Sequence, residues 1–241
     1  MNTIKFEAEN KPLMVAHRGS CSLETENTVA AFVAAGNRSY HAIECDVMKT
    51  ADGKYIVCHN KDTAYVAGDK LVIAESSFDT LRGLKLLNVP QTKVKDRNDL
   101  RLASMEEYVM ICKNYEKHAF LEIKFSATED DLREICETIR SYDYLEHVTF
   151  LGNTPELIKL RSLYPEQSAQ LLAWELTDEF LDTMLKYRLD FGVCHKKLTK
   201  EQVDLMHSKG IKVNVWVVND VETAAKLADW GVDFISSNIL E

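Results

Sequence analysis

The chain has 241 residues, 29 of them Lys or Arg and 38 Asp or Glu, for a formal net charge of −9. That balance repels backbone phosphates and anionic headgroups, and so argues against a protein built mainly to hold nucleic acid or to dock on an acidic membrane. A hydrophobic content of 46% with nine Gly and four Pro excludes disordered, collagenous and low-complexity chains, and the length suits an α/β domain of barrel size.

Residues 1–12 are polar and lack the apolar run of a signal peptide, and no stretch approaches the roughly 20 apolar residues that span a bilayer. Short apolar runs rich in β-branched residues predict strands at 13–17, 42–47, 55–59, 119–124, 147–151, 168–173, 190–194, 212–217 and 233–236. Helical patterns lie between most of them. Ser104-Met-Glu-Glu107, Thr199-Lys-Glu-Gln202 and Asn219-Asp-Val-Glu222 have capping-box spacing, and Thr154-Pro155 reads as an N-cap followed by proline at the first helical position. Gly210 and Gly231 stand where helices should end before strands.

This alternation implies parallel strands covered by helices. The run at 55–59 joins the second strand through the turn at Asp52-Gly53; counted as one unit with it, it leaves eight strand units. Eight units predict a (β/α)₈ TIM barrel, with an open doubly wound sheet as the alternative. Residues 60–103 break the rhythm and predict a small insertion over one end of the barrel. After the last strand the segment Ser236-Ser-Asn-Ile-Leu-Glu241 leaves no room for a full helix, so the last helix is expected to be truncated. The whole chain, 1–241, is expected to be one domain. Six cysteines (Cys21, Cys45, Cys58, Cys112, Cys136 and Cys194) form no CxxC pair, which predicts reduced thiols and a cytoplasmic location.

In such a barrel the working residues sit just past the C-terminal ends of the strands. Collected there are His17-Arg18-Gly19, Glu44 and Asp46, His59-Asn60, Glu122 and Lys124, and Trp216. Glu44 and Asp46 are two apart on a strand and share a face, and Glu122 is aligned on the next major strand. Acids that converge need a cation or proton between them, and oxygen-only ligands favour Mg²⁺ or Ca²⁺ over zinc. Imidazole ordinarily titrates near neutrality, so the pair His17 and His59 suits a general base and a general acid. Arg18 can fork two phosphate oxygens, Lys124 can neutralise an oxyanion, and Gly19 permits close backbone approach. Together they describe a site for hydrolysing a phosphate ester.

At these residues the sequence resembles the glycerophosphodiester phosphodiesterase family. The resemblance rests on Val15-Ala-His-Arg-Gly19, Glu26-Asn-Thr28, Ile43-Glu-Cys-Asp-Val47, Asp52-Gly53, His59, Leu121-Glu-Ile-Lys124, the segment Gly210–Asn219 and the segment Gly231–Asn238, and so covers essentially the whole chain. It implies a (β/α)₈ barrel with a small insertion after the second strand. It also implies a divalent ion on Glu44, Asp46 and Glu122, an acid–base pair in His17 and His59, phosphate binding by Arg18 and Lys124, and Trp216 beside the glycerol or its leaving alcohol. Asn27 is expected to fix its loop or touch the site. The implied reaction releases sn-glycerol 3-phosphate and an alcohol from a small-molecule glycerophosphodiester. The chain departs from the family pattern at Thr25, where proline is usual, at Asn60, where aspartate is usual, in Lys61–Val66, which lacks an expected arginine, and at Phe150-Leu-Gly152, which replaces a Ser-Phe pair. These departures bear on substrate choice more than on catalysis.

Competing readings are weaker. His59-Asn-Lys61 and His195-Lys-Lys197 each begin the His-x-Lys-x₄-Asp motif of phospholipase D, but Val66 and Gln202 stand where the aspartate belongs. His195 matches the family after a late strand and reads equally as a surface residue, and nothing in the sequence activates Cys21 as a nucleophile. A non-catalytic protein that only binds a phosphodiester headgroup would not need both histidines and all three acids. The leaving alcohol, the choice between Mg²⁺ and Ca²⁺, and the oligomeric state are not set by the sequence.

Overall fold

The computed structural model describes residues 2–241. Its strands are β1 (Leu13–Ala16), β2 (Ala42–Lys49), β3 (Tyr55–Val57), β4 (His118–Ile123), β5 (Val148–Gly152), β6 (Ala169–Ala173), β7 (Asp190–Cys194), β8 (Val213–Trp216) and β9 (Phe234–Ser237). These are the nine predicted runs, with bounds moved by two residues or fewer. β3 pairs antiparallel with β2, Val47 opposite Val57, and forms the predicted extension. The other eight are parallel, and β1 closes the ring by pairing with both β2 and β9. The result is the predicted TIM barrel rather than an open sheet.

The helices are α1 (Val29–Gly36), α2 (Ala64–Ala67), α3 (Phe78–Arg82), α4 (Met105–Asn114), α5 (Glu129–Ser141), α6 (Thr154–Leu163), α7 (Asp178–Tyr187), α8 (Lys200–Ser208) and α9 (Val221–Asp229). Capping boxes form at Ser104/Glu107 and Thr199/Gln202 as predicted. Two caps differ from expectation. Asn153, not Thr154, precedes α6, so Pro155 falls within the first turn, where its missing N–H still costs nothing. Asp220, not Asn219, caps α9 by accepting from Thr223 N; Asn219 is occupied elsewhere. Gly210 and Gly231 take φ of +74° and +84°, the left-handed conformation that ends a helix cheaply only in glycine.

Alternation along each strand builds two cores. Outward residues pack under the helices, and inward residues Val15, Ala42, Phe120, Leu151 and Phe234 plug the barrel with Leu172 against them. Phe120 and Phe234 meet edge to face at 5.4 Å. Each of the larger of these side chains, Val15, Phe120, Leu151 and Phe234, contributes about 1.5–3 kcal/mol. On β7, Gly192 is opposite Leu172, which fills the room a side chain would occupy; a Cβ at 192 would collide with Leu172 Cδ2.

The insertion has its own apolar cluster, in which Val66, Ala67, Ile73, Leu81, Leu86, Leu100 and Leu102 close over Met48, Ile56 and Cys58 of the β2–β3 ribbon. It is also fastened to the loop after β1. Thr25 Oγ1 donates to Leu87 O at 2.7 Å and accepts from Val89 N at 3.1 Å, and Arg97 pairs with Glu24. The insertion therefore sits at the C-terminal end of the barrel. Beyond β9 the described residues form no helix, and Leu240 bridges in parallel to Ile4.

At the opposite end His118 of β4 stacks on His41 at 5.8 Å and bonds Thr149 Oγ1 through Nε2 at 2.9 Å. Burial, aided by His41, His147 and Lys212, pushes the His118 imidazole down to about 4 from its ordinary 6.5. Its folded pKa lies below its unfolded one, so the unfolded chain binds the proton first and stability falls as pH drops from about 6.5 to about 4. His118→Gln is therefore expected to narrow the drop in Tm between pH 7.5 and 5. An unchanged pH dependence would exclude His118 as a source of acid sensitivity.

Candidate active site

The loop after β1 starts the site. Arg18 and Gly19 both adopt positive φ, +56° and +75°, so the chain turns sharply after His17. A Cβ on Gly19 would lie 2.7 Å from the Ala31 carbonyl carbon, so only glycine lets α1 approach this closely. The turn aims the Arg18 N–H at Glu44 Oε2, 2.8 Å away. Asn27, also at positive φ (+58°), donates from Nδ2 to Asp46 Oδ2 at 2.8 Å and accepts from Asp46 N at 3.3 Å. The loop and β2 are thereby locked together, as expected for Asn27.

Strand register assembles the acids. Asp46 is directly opposite Glu122 across the β2–β4 ladder, and Glu44 lies two residues earlier on the same face. One carboxylate oxygen from each falls within 4.8 Å of the other two. Asp46 is 1% exposed and Glu44 4%. Burial and the repulsion of Asp46 push Glu44 well above the usual carboxylate range and Glu122 to about 7. For Asp46 burial acts upward, but Arg18, His59, Lys124 and the Asn27 hydrogen bond outweigh it and hold it ionised.

The cations stand around this cluster. Arg18 Nη1 lies 3.0 Å from Glu26 Oε1 and its Nε lies 3.4 Å from Asp46 Oδ2. Lys124 Nζ lies 3.1 Å from Glu122 and 3.7 Å from Asp46. Burial opposes both charges, and the acids more than compensate, so both pKa values rise. His17 is pushed down to about 4 by burial and by Arg18, and burial also lowers His59.

His17, Arg18, Glu44, His59, Glu122, Lys124 and Trp216 line one cavity of about 360 Å³, with Asp46 just behind them holding Arg18 and Lys124. All eight sequence-derived site residues are thus brought together. The cavity is two-faced. Charged groups form one wall, and Leu151, Leu172, Trp174 and Trp216 form much of the other. The two indoles are 6.0 Å apart, and Trp174 is 58% exposed at the rim. Trp174 was not anticipated, although it directly follows β6 and the strand-end rule reaches it. Asn214 and Ser236, also in the lining, were missed because a single neutral polar residue inside a strand, unlike the Glu44–Asp46 pair, is a weak sequence signal. His195 bonds Trp216 O at 3.3 Å from outside this lining, and Cys21 is pushed up to about 12 by burial and by Glu26, which leaves it a thiol.

A closed parallel barrel that gathers two histidines, two cations and three acids at its C-terminal mouth defines a hydrolase of phosphoric diesters. The sequence comparisons agree. Residues 17–239 match the glycerophosphoryl diester phosphodiesterase family, and the chain belongs to that family. A glycerophosphodiester phosphodiesterase of Bacillus subtilis is 25% identical over 94% of this chain and 83% of its own length. One from Caldanaerobacter subterraneus is 23% identical, covering 93% of each chain. Among solved structures, a phosphodiesterase of Oleispira antarctica in complex with the product sn-glycerol-3-phosphate has the same fold, with a TM-score of 0.82 at 20% identity over 95% of this chain and 94% of that one. Members of the family hydrolyse glycerophosphodiesters and generally use a divalent metal. Among the described residues no helix is long and apolar enough to cross a membrane.

Proposed function

We propose that this cavity hydrolyses a glycerophosphodiester to sn-glycerol 3-phosphate and an alcohol, with Glu44, Asp46 and Glu122 holding one divalent ion, Mg²⁺ or Ca²⁺. The observation that carries the proposal is the three-acid cluster packed against Arg18 and Lys124. The donors fit such an ion. They are all oxygens, and two of the three are pushed up by burial and by the repulsion of Asp46, which a divalent ion would relieve. When bound, the ion supplies Lewis-acid neutralisation of phosphate charge.

The chain's own groups do the rest. Arg18 and Lys124 hold the phosphate oxygens, each kept cationic by its acids. His17, neutral at physiological pH because of its burial, takes the proton of the attacking hydroxyl, which belongs to water or to the neighbouring glycerol carbon. His59, entering the step as the imidazolium with its second proton on Nε2, gives that proton to the leaving oxygen. Trp216 and its apolar neighbours hold the carbon side of the substrate and keep water from the charged wall. The reading treats the chain as one barrel domain with the insertion of about residues 60–103 beside the cavity. Its six free thiols support a cytoplasmic location.

The test is release of glycerol 3-phosphate from glycerophosphocholine, glycerophosphoethanolamine and glycerophosphoglycerol. Turnover is expected with added Mg²⁺ or Ca²⁺ and its loss in excess chelator. Full activity in chelator would remove the metal from the reaction.

A further inference from the structure

Both proposed acid–base histidines are held in the same way. His17 Nδ1 lies 2.8 Å from Asn238 Oδ1, and His59 Nδ1 lies 2.9 Å from Asn60 Oδ1. With the carboxamide oxygens facing the rings, each Nδ1 carries the hydrogen and each neutral ring keeps its lone pair on Nε2. Both rings line the cavity, and the hydrogen bonds the two rings make run through Nδ1. The two supports differ in quality. Asn60 is the exposed sequence neighbour of His59. Asn238 reaches His17 from the far side of the β1–β9 seam and is itself anchored. Its N–H donates to Asn219 Oδ1 at 2.9 Å, which also accepts from Ser237 Oγ at 3.3 Å, and its carbonyl accepts from Ser22 N at 3.3 Å. Asn219 is the residue that capping-box spacing assigned to the start of α9. It is free for this because Asp220 takes over the cap.

We infer that Asn219 and Asn238 form a positioning relay that fixes His17 in its Nδ1–H tautomer and aims Nε2 into the cavity. The inference rests on His17 being the base of the proposed reaction. Asn238 touches no reacting atom; it acts by denying the ring its other tautomer and its other rotamers. The carboxamide does this without placing a further negative charge beside His17, in a site already crowded with carboxylates. The deeper, anchored histidine is thus the pre-set one, and His59, held only by its neighbour, is the one with freedom to follow the leaving group.

Three substitutions test this. Asn238→Ala should lower kcat on the order of 10²-fold, the scale of a misoriented catalytic group, with KM within about threefold. Asn219→Ala should produce a smaller loss of the same kind, because Asn238 then keeps its side chain and its Ser22 contact but loses its bond to Asn219. Asn238→Asp, which also accepts from Nδ1, should recover most of the lost kcat. The decisive readout needs no turnover. Nitrogen NMR of the histidine rings at neutral pH should show His17 as the Nδ1–H tautomer in the wild-type chain and as a mixture in Asn238→Ala, with both proteins folded by circular dichroism. A wild-type His17 protonated on Nε2, or an Asn238→Ala spectrum identical to wild type, overturns the relay. A correct tautomer with a fully active His17→Ala protein would instead overturn the role of His17 as base.

Discussion

Asp46→Asn should reduce turnover on the order of 10³-fold, equivalent to about 4 kcal/mol of transition-state stabilisation. The substitution is isosteric, so the loss reads charge rather than shape. Asp46 is the acid on which the site converges. It lies within 3.4 Å of Arg18 Nε and 3.7 Å of Lys124 Nζ, and it accepts the Asn27 hydrogen bond. Neutralising it takes away one proposed metal ligand and leaves two cations short of their counter-charge. Its neighbour behaves oppositely in one respect. Glu122 is pushed up to about 7 by burial and by Asp46, so its carboxylate opposes folding when no ion is bound. Glu122→Gln should therefore lose activity as well, yet raise the Tm of chelator-treated protein, whereas Asp46→Asn should lower it. Calorimetry of the two variants in chelator, beside their metal titrations, checks both signs. Equal shifts in Tm would mean that the charge distribution described here does not govern the site.

His17→Ala and His59→Ala are each expected to cost on the order of 10²-fold or more in kcat, the usual scale of general acid–base help. The double variant should cost little more than the worse single one, because the proton taken by one ring and the proton given by the other belong to one reaction. His17 is the more telling position. It is held between Ser237 O, which accepts its backbone N–H at 3.0 Å, and Asn238, so alanine there removes a ring already fixed on both sides. Single-turnover kinetics on a glycerophosphodiester would separate chemistry from release. Full activity of either single variant removes that histidine from the reaction.

The barrel could be read from the sequence because a strand buried on both faces leaves an uninterrupted apolar run, and the chain repeats such runs between capped helices. The acids could be read for a related reason. A Glu-x-Asp pair inside a run such as Ile43-Glu-Cys-Asp-Val47 breaks the expected chemistry at two positions of one face. What could not be read was anything set by pairs distant in sequence. His17 and Asn238 are 221 positions apart, and only barrel closure brings them together. Arg18 reads as an open fork for phosphate, but a single sequence gives no hint that Glu26 already occupies one edge of its guanidinium. The misplaced cap at Asn219 has a local cause. Asn and Asp are both good N-caps, they are adjacent here, and the spacing to Glu222 favoured the wrong one. Trp174 was legible and passed over: the strand-end rule that collected Trp216 reaches it equally, but it lies in none of the motifs that carry the family resemblance.

Gly192 has no atom in the cavity, yet it sets part of the cavity's shape. Leu172 leans into the vacancy on β7 and, from there, forms part of the apolar wall. A methyl group at 192 would push Leu172 toward the substrate, and a smaller residue at 172 would open the same space. The reacting groups sit on β2 and β4 and just after β1, β3 and β4, so they would not move. The span of alcohols this barrel accepts can therefore be retuned from its far wall, through one missing side chain, while the chemistry is inherited unchanged.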